Sequence, residues 1–268
     1  MAATVFVADY LGSERDRPSP RVPTRPARTY IICSTPRSGS GLLCRALAGP
    51  GVLGTPLEYL NSVHRGILTE RWGCGAHLRS YIATLHARRT STEGLFGIKV
   101  HWDQLVATQK EVSRGDADRE AYDVPDELLG NLFPNPLFVR ILRMDVDAQA
   151  VSLWRALSSN VWSVALNDPS DLGAARAPYS FDGIDGCRRS IETGEAGWDR
   201  LLQRLGVEAH VVSYEQLTST FSKTVADVVS HIRPGIEIEI APPHTRRMAD
   251  EWSIRLIDRF RSDRAETL

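Results

Sequence analysis

The sequence predicts an α/β protein: a doubly wound, mostly parallel sheet flanked by helices. Three observations predict it. Tyr30–Leu47 reads YIICSTPRSGSGLLCRAL, a buried strand, a Ser/Gly turn and a helix. Further β-branched runs at Leu95–Val100, Pro136–Arg143 and Ala209–Tyr214 alternate with helical stretches, the pattern of parallel strands joined by crossovers. The 268 residues, 42% of them hydrophobic, are enough for one large α/β core.

Residues 1–27 are rich in Arg, Pro, Ser and Asp. Pro18, Pro20, Pro23 and Pro26 prevent regular helix, so this stretch is read as a flexible arm, with a single domain over residues 28–268. Tyr30–Ser34 is the first strand. Thr35–Gly41 is a small polar turn, and Leu42, Leu43, Ala46 and Leu47 recur at helical spacing until Gly49 and Pro50 stop the helix. A helix N-terminus presents unpaired N–H groups and partial positive charge, so it suits an anion. Gly39 and Gly41 allow close backbone approach to a phosphate, Ser38 and Ser40 add hydroxyls, and Arg37 adds a fixed charge. The same residues also suit an ordinary strand-to-helix turn.

Gly51–Asn61 follows as a turn containing Gly54, Pro56 and Glu58. Two readings of Glu58 stand: a half-buried carboxylate placed to accept a proton, or an acid set in the first turn of a short helix by its dipole. His77–Arg89 is an amphipathic helix with Leu78, Tyr81, Ile82 and Leu85 on one face. The second strand, Leu95–Val100, runs into Lys99, His101 and Trp102. Ligands of open α/β sheets bind beyond the carboxyl ends of strands, so Lys99 and His101 are placed for chemistry or, equally, for structure.

Gln109–Asn135 reads as a surface excursion. Pro136–Arg143 is the third strand, and Asp145 caps the next helix, whose apolar stripe is Val151, Trp154, Leu157, Val161 and Ala165. Arg143 and Ser152 flank its start and make a second anion site, or Arg143 pairs with a nearby acid. Pro169–Asp185 reads as a loop, Gly186–Leu205 as a long helix, Ala209–Tyr214 as the fourth strand and Leu217–Ile232 as a helix. Pro242 and Pro243 break the chain before a last helix carrying Ile254, Ile257 and Phe260.

A formal net charge of −1 argues against a nucleic-acid coat or a polybasic membrane anchor. No apolar run is long enough to span a bilayer, and no secretory signal is visible. The four cysteines, Cys33, Cys44, Cys74 and Cys187, have no metal-ligand spacing and read as small buried hydrophobes, which fits a reducing cytoplasmic setting.

Six blocks, STPRSGSGLLCRAL, GTPLEYL, FGIKVHWDQL, DVDAQAVSLWRAL, VVSYEQL and RRMADEW, occur in the order expected of the trehalose 2-sulfotransferase family, and the chain resembles it from about Thr29 to Phe260. The resemblance implies a P-loop-like fold and 3′-phosphoadenosine 5′-phosphosulfate (PAPS) as donor, with 3′-phosphoadenosine 5′-phosphate (PAP) as by-product and no metal. It implies that Pro36, Arg37, Ser38, Gly39, Ser40, Gly41 and Leu42 hold the 5′-phosphosulfate. Arg143, Ser152 and Arg247 would hold the 3′-phosphate. Glu58 matches the family's base, and Lys99-Val100-His101 resembles the Lys-x-His that carries the base in wider cytosolic sulfotransferases. The implied acceptor is a small molecule with a hydroxyl, a sugar or a glycosylated metabolite such as a natural product. Family members are often dimers, which makes a homodimer part of the resemblance.

Two departures stand out. The family usually has Thr at the position of Gly41, and a second Arg followed by Asp-Lys where this chain reads Met144-Asp145-Val146. One lost charge-assisted phosphate contact is worth about 1.5–3 kcal/mol, or roughly tenfold to hundredfold in affinity. An unconventional donor lacking the 3′-phosphate, or a degenerate nucleotide-binding protein, is therefore the alternative. A P-loop kinase is disfavoured, because the turn lacks the Gly-Lys-Ser/Thr ending that reaches β/γ-phosphates and magnesium. Loops around Tyr59, Trp102 and Pro178–Phe181 are expected to shape the acceptor pocket.

Overall fold

The computed structural model describes residues 11–17, 25–75, 77–113, 126–162, 178–243 and 249–267. Four strands, β1 (Arg28–Ser34), β2 (Leu95–His101), β3 (Pro136–Leu142) and β4 (His210–Ser213), form one all-parallel sheet in the order β2-β1-β3-β4. The chain leaves β1 outward to β2, crosses back over β1 to β3, and leaves β3 outward in the other direction to β4. That reversal opens a crevice between the carboxyl ends of β1 and β3.

Strand alternation divides the core. Ile31 and Cys33 of β1, with Phe96, Ile98 and Val100 of β2, pack on one face. That face is covered by α3 (Leu78–Arg89), α4 (Trp102–Val112), α5 (Glu127–Leu132) and the long α7 (Phe181–Leu205). Tyr30, Ile32, Val139 and Ile141 face the other way, against α1 (Ser40–Ala48) and α9 (Phe221–Ile232). A third cluster joins α6 (Val146–Ser159) and α7 to α10 (Glu251–Thr267) through Val151, Ile184, Ile191 and Phe260. Among the described residues the remaining α-helices are α2 (Ser62–Trp72) and α8 (Tyr214–Ser219), with a single 3₁₀ turn at Ser13–Arg15.

The α/β class and parallel sheet match the sequence reading, and Asp145 caps α6 by accepting from Ala148 N–H at 3.0 Å. Several element assignments change. Helix α2 carries one fully buried apolar residue, Leu68, so periodicity does not reveal it; Asn61 starts it by accepting from Val63 and His64 N–H. The supposed surface excursion holds α5, because Leu128, Leu129 and Phe133 are buried. Ser180 caps α7 by accepting from Gly183 N–H, which moves its start into the expected loop. The expected helix over Leu217–Ile232 is two helices, broken at Thr220. Leu157 is exposed rather than part of the stripe, and Ala165 lies outside the described residues.

Within the segment read as an arm, Leu11 is fully buried and Asp16 pairs with buried Arg89 at 2.6 Å. Tyr59 and Trp102 are buried, so they support the site instead of lining an open pocket. No helix among the described residues is long and apolar enough to cross a membrane.

Helix α7 lies close to the carboxyl end of β1 because two of its buried residues are glycines. A Cβ on Gly197 would stand 2.1 Å from Trp102 Cε2, and one on Gly194 would stand 2.8 Å from Thr35 Cγ2. Gly197→Ala is therefore expected to destabilise. Alanine returns about 1 kcal/mol of helix propensity, while overpacking against a rigid indole costs about 1–3 kcal/mol. Thermal unfolding should fall by about 2–4 °C per net kcal/mol. A midpoint equal to or above that of the parent contradicts this packing.

Candidate active site

Strand parity also gathers the polar residues at the carboxyl ends of β1 and β2. Ser34 is the register partner of His101, and Ile32 that of Lys99, so Lys99 and His101 share the face that packs on α1. The chain before α2 runs beside β2, with Leu57 bridged to Ile98 and Lys99 N–H donating to Leu57 C=O at 3.0 Å. Leu57 enters the opposite core, so Glu58 turns toward Lys99 and His101. Glu58 Oε1 meets Lys99 Nζ at 2.5 Å and His101 Nε2 at 3.4 Å, while Oε2 accepts from Gln104 Nε2 at 2.9 Å. His101 Nδ1 lies 3.0 Å from Ser34 Oγ, and Gln104 Oε1 accepts from His101 backbone N–H. The Glu58 side chain is 18% exposed and that of Lys99 6%. Burial opposes ionisation, but the Lys99 ammonium and then His101 override it and hold the Glu58 carboxyl well below the usual carboxylate range. Burial alone would raise this carboxyl and make it a better base; the two cations reverse that expectation, and the site keeps a half-buried, ionised carboxylate. Helix α2 begins four residues later, so Glu58 is not in its first turn.

The turn Thr35–Gly39 links β1 to α1. Ser38 N–H donates to Thr35 C=O at 3.4 Å, and Gly39 C=O starts the helix by accepting from Leu42 N–H at 2.9 Å and Leu43 N–H at 3.2 Å. The backbone is left-handed at Arg37 (φ 65°) and Gly39 (φ 88°). For the non-glycine Arg37 this costs about 1–2 kcal/mol. Left-handed residues spaced in this way tilt successive N–H groups into a concave anion cradle. Gly39 is required twice over: its φ is positive, and a Cβ would lie 2.7 Å from the ring of Tyr214. A Cβ at Gly41 would meet nothing within 4 Å. Pro36 and Leu42 are half-buried, and Ser40 is buried at the first position of α1. Ser38 Oγ is fully buried and has no hydrogen-bond partner among the described residues, as a hydroxyl reserved for a ligand would be.

Arg37 extends from the turn to α6, where its Nε–H donates to Ser152 Oγ at 2.9 Å and Nη1 donates to Trp162 C=O. Burial, then Arg143, lowers its guanidinium to about 10, with Tyr214 opposing, so it stays cationic at neutral pH. Arg143 lies over the Tyr214 ring, 4.6 Å from its centre. Ser152, Arg37, Arg143 and Tyr214 therefore stand around one basic region beside the turn. Met144 is 70% exposed, and its N–H donates to Glu215. Arg247 lies outside the described residues.

Sequence reasoning named the turn, Glu58, Lys99, His101, Arg143 and Ser152, and these fall into two neighbouring groups at the carboxyl ends of β1, β2 and β3. It missed Ser34, Gln104 and Tyr214. Gln104 stands three residues after His101, the spacing of a helix capping box, which is the one signal that points to it. Tyr214 lies inside VVSYEQL with no local feature that distinguishes it from a core tyrosine. Among the described residues no group of three or more His, Cys, Asp or Glu is arranged to hold a metal ion.

The sequence profile of the Stf0 sulphotransferase family matches residues 29–263. The chain is 28% identical to the trehalose 2-sulfotransferase of Mycobacterium tuberculosis over 269 aligned residues, covering 90% of this chain and 97% of that protein. It is 27% identical to the trehalose 2-sulfotransferase of Mycolicibacterium smegmatis, covering 87% and 94% respectively. A match that runs from β1 into α10 takes in both the Thr35–Gly39 turn and the Glu58 carboxylate, and the chain belongs to the Stf0 sulphotransferase family of enzymes.

Proposed function

We propose that this sulfotransferase moves a sulfuryl group from PAPS to a hydroxyl of a carbohydrate or a glycosylated small metabolite, with Glu58 as general base. The observation that carries the reading is the buried Glu58 carboxylate, held by Lys99, His101 and Gln104, one strand away from the Pro36–Leu42 turn. The two relatives named for sulfation of trehalose support a sugar acceptor.

The turn's N–H groups, Ser38 and Arg37 bind the donor's phosphosulfate. Arg143 and Ser152 take the 3′-phosphate, with Arg247 as a further contact. In this reading Ser152 exchanges its Arg37 contact for the donor. Glu58 Oε1 is engaged by Lys99 and His101, whereas Oε2 accepts from Gln104. Oε2 is therefore the oxygen that takes the acceptor's proton as the acceptor oxygen bonds to sulfur and the sulfur–phosphate oxygen bond breaks. By analogy with phosphoryl transfer the transition state is loose, so alignment and charge supply most of the acceleration. Lys99 and Arg37 are the cations that meet the charge on the transferring group and the departing PAP. His101, whose Nδ1 is fixed by Ser34, orients Glu58 and is the second candidate for the base.

A donor without the 3′-phosphate remains the second reading, favoured by the exposed Met144 and the open space at Gly41. Calorimetric titration with PAP and with adenosine 5′-phosphate separates the two. Tighter binding of PAP is expected, and equal affinity for both supports the second reading.

Glu58→Gln is expected to lower kcat by about 10²–10⁴ while PAP affinity stays near that of the parent. Unchanged turnover would remove Glu58 from this role and make His101→Asn the deciding variant. The pH profile tests the ion pair. Lys99 favours the ionised carboxylate, so the acid limb of kcat/KM should lie below the ordinary carboxylate range. In Lys99→Met burial acts with one cation fewer, and the limb should move up by about 1–3 pH units. A limb that stays in place shows that Glu58 does not set it.

A further inference from the structure

On the face of the sheet opposite Glu58, a chain of buried polar groups grips the donor turn from below. Gln149, in the first turns of α6, is fully buried. Its Nε2 donates to Thr35 Oγ1 at 2.9 Å and to Pro36 C=O at 2.7 Å. Thr35 Oγ1 in turn donates to Glu195 Oε1 of α7 at 2.5 Å. Glu195 Oε2 is held by Arg140, which is 3% exposed and stands opposite Cys33 in the register of β3 with β1. Trp198 Nε1 donates to Ser34 C=O at 3.0 Å from the same helix.

These contacts act on the first residues of the turn. Across a trans peptide the C=O and the following N–H point in opposite directions, and the described residues contain no cis peptide. Tying Pro36 C=O back to Gln149 therefore aims Arg37 N–H away from α6 and into the concave side of the turn. The left-handed Arg37 follows immediately, a conformation that persists only where its surroundings fix it. Both Nε2 hydrogens of Gln149 are used, one on each side of the Thr35–Pro36 link, while its Oε1 is buried with no hydrogen-bond partner among the described residues.

We infer that Gln149, Thr35 and Glu195 are positioning residues for donor binding: they hold the Thr35–Arg37 backbone in the geometry that presents its N–H groups to the donor phosphate. The inference rests on the reading of Pro36–Leu42 as the donor site.

The test uses calorimetric titration of the full chain with PAP, beside the thermal midpoint of each variant. Gln149→Met keeps length and removes both N–H donors. Thr35→Val keeps volume and removes the hydroxyl, and Thr35→Ser restores it. Gln149→Met and Thr35→Val are expected to weaken PAP binding by about tenfold to hundredfold, with Thr35→Ser returning to within about threefold of the parent. Should Gln149→Met fail to fold, the Thr35 pair carries the same comparison. Parent-like PAP affinity in folded Gln149→Met or Thr35→Val overturns the inference, as does equal weakening by Thr35→Val and Thr35→Ser. A parent protein that binds no PAP overturns the donor reading itself, a result distinct from tight parent binding with unaffected variants.

Discussion

Successive side chains of a strand point to opposite faces, and at the end of β1 that alternation decides what each side of the Thr35–Gly39 turn can touch. Ser34 faces α1 and meets His101, while Thr35 reaches α7 and meets Glu195. The turn therefore leaves the sheet between two polar networks that share no side chain. One network holds a carboxylate that can accept a proton. The other fixes the backbone of the turn itself. Each depends on register as much as on residue type: slipping β2 by one residue against β1 would carry Lys99 and His101 to the opposite face.

Both networks contain buried charge, and charge of this kind is weak ground for stability in itself. Removing two ions from water costs several kcal/mol each, which good geometry roughly offsets. Arg140–Glu195 and Lys99–Glu58 both sit at the carboxyl edge of the sheet, beside the turn. Arg155 with Asp250 and Ser253, and Arg89 with Asp16, lie elsewhere and tie helices or the N-terminal segment to the body. The same chemistry thus serves two ends, and location separates them: the first two pairs flank the Thr35–Gly39 turn, and the other two join helices or the N-terminal segment to the body.

What was legible in the sequence follows from what is local. Tyr30–Ser34 is uniformly buried and β-prone, so its strand is readable, and the turn behind it is written in Gly and Ser. Asp145 caps its helix by a contact three residues away. Glu58 was ambiguous because its environment is made by residues more than forty positions later, through the bridge of Leu57 to Ile98. Gln149 carries no local mark at all: a glutamine in a helix reads as a solvent-facing residue, and only the approach of Thr35 and Pro36 makes it a buried donor. Helix α2 escaped notice for the complementary reason, that it hides a single leucine and leaves Val63 in water.

The two glycines of the turn answer to different demands. At position 39 any side chain collides with Tyr214 and opposes the left-handed backbone, so the residue is dictated by folding. At position 41 the backbone is helical and the space beyond it is empty, so a hydroxyl or a methyl can be added with no rearrangement. Two glycines two positions apart therefore differ in kind: one is a condition of the fold, and the other leaves room for a side chain that the fold neither needs nor opposes.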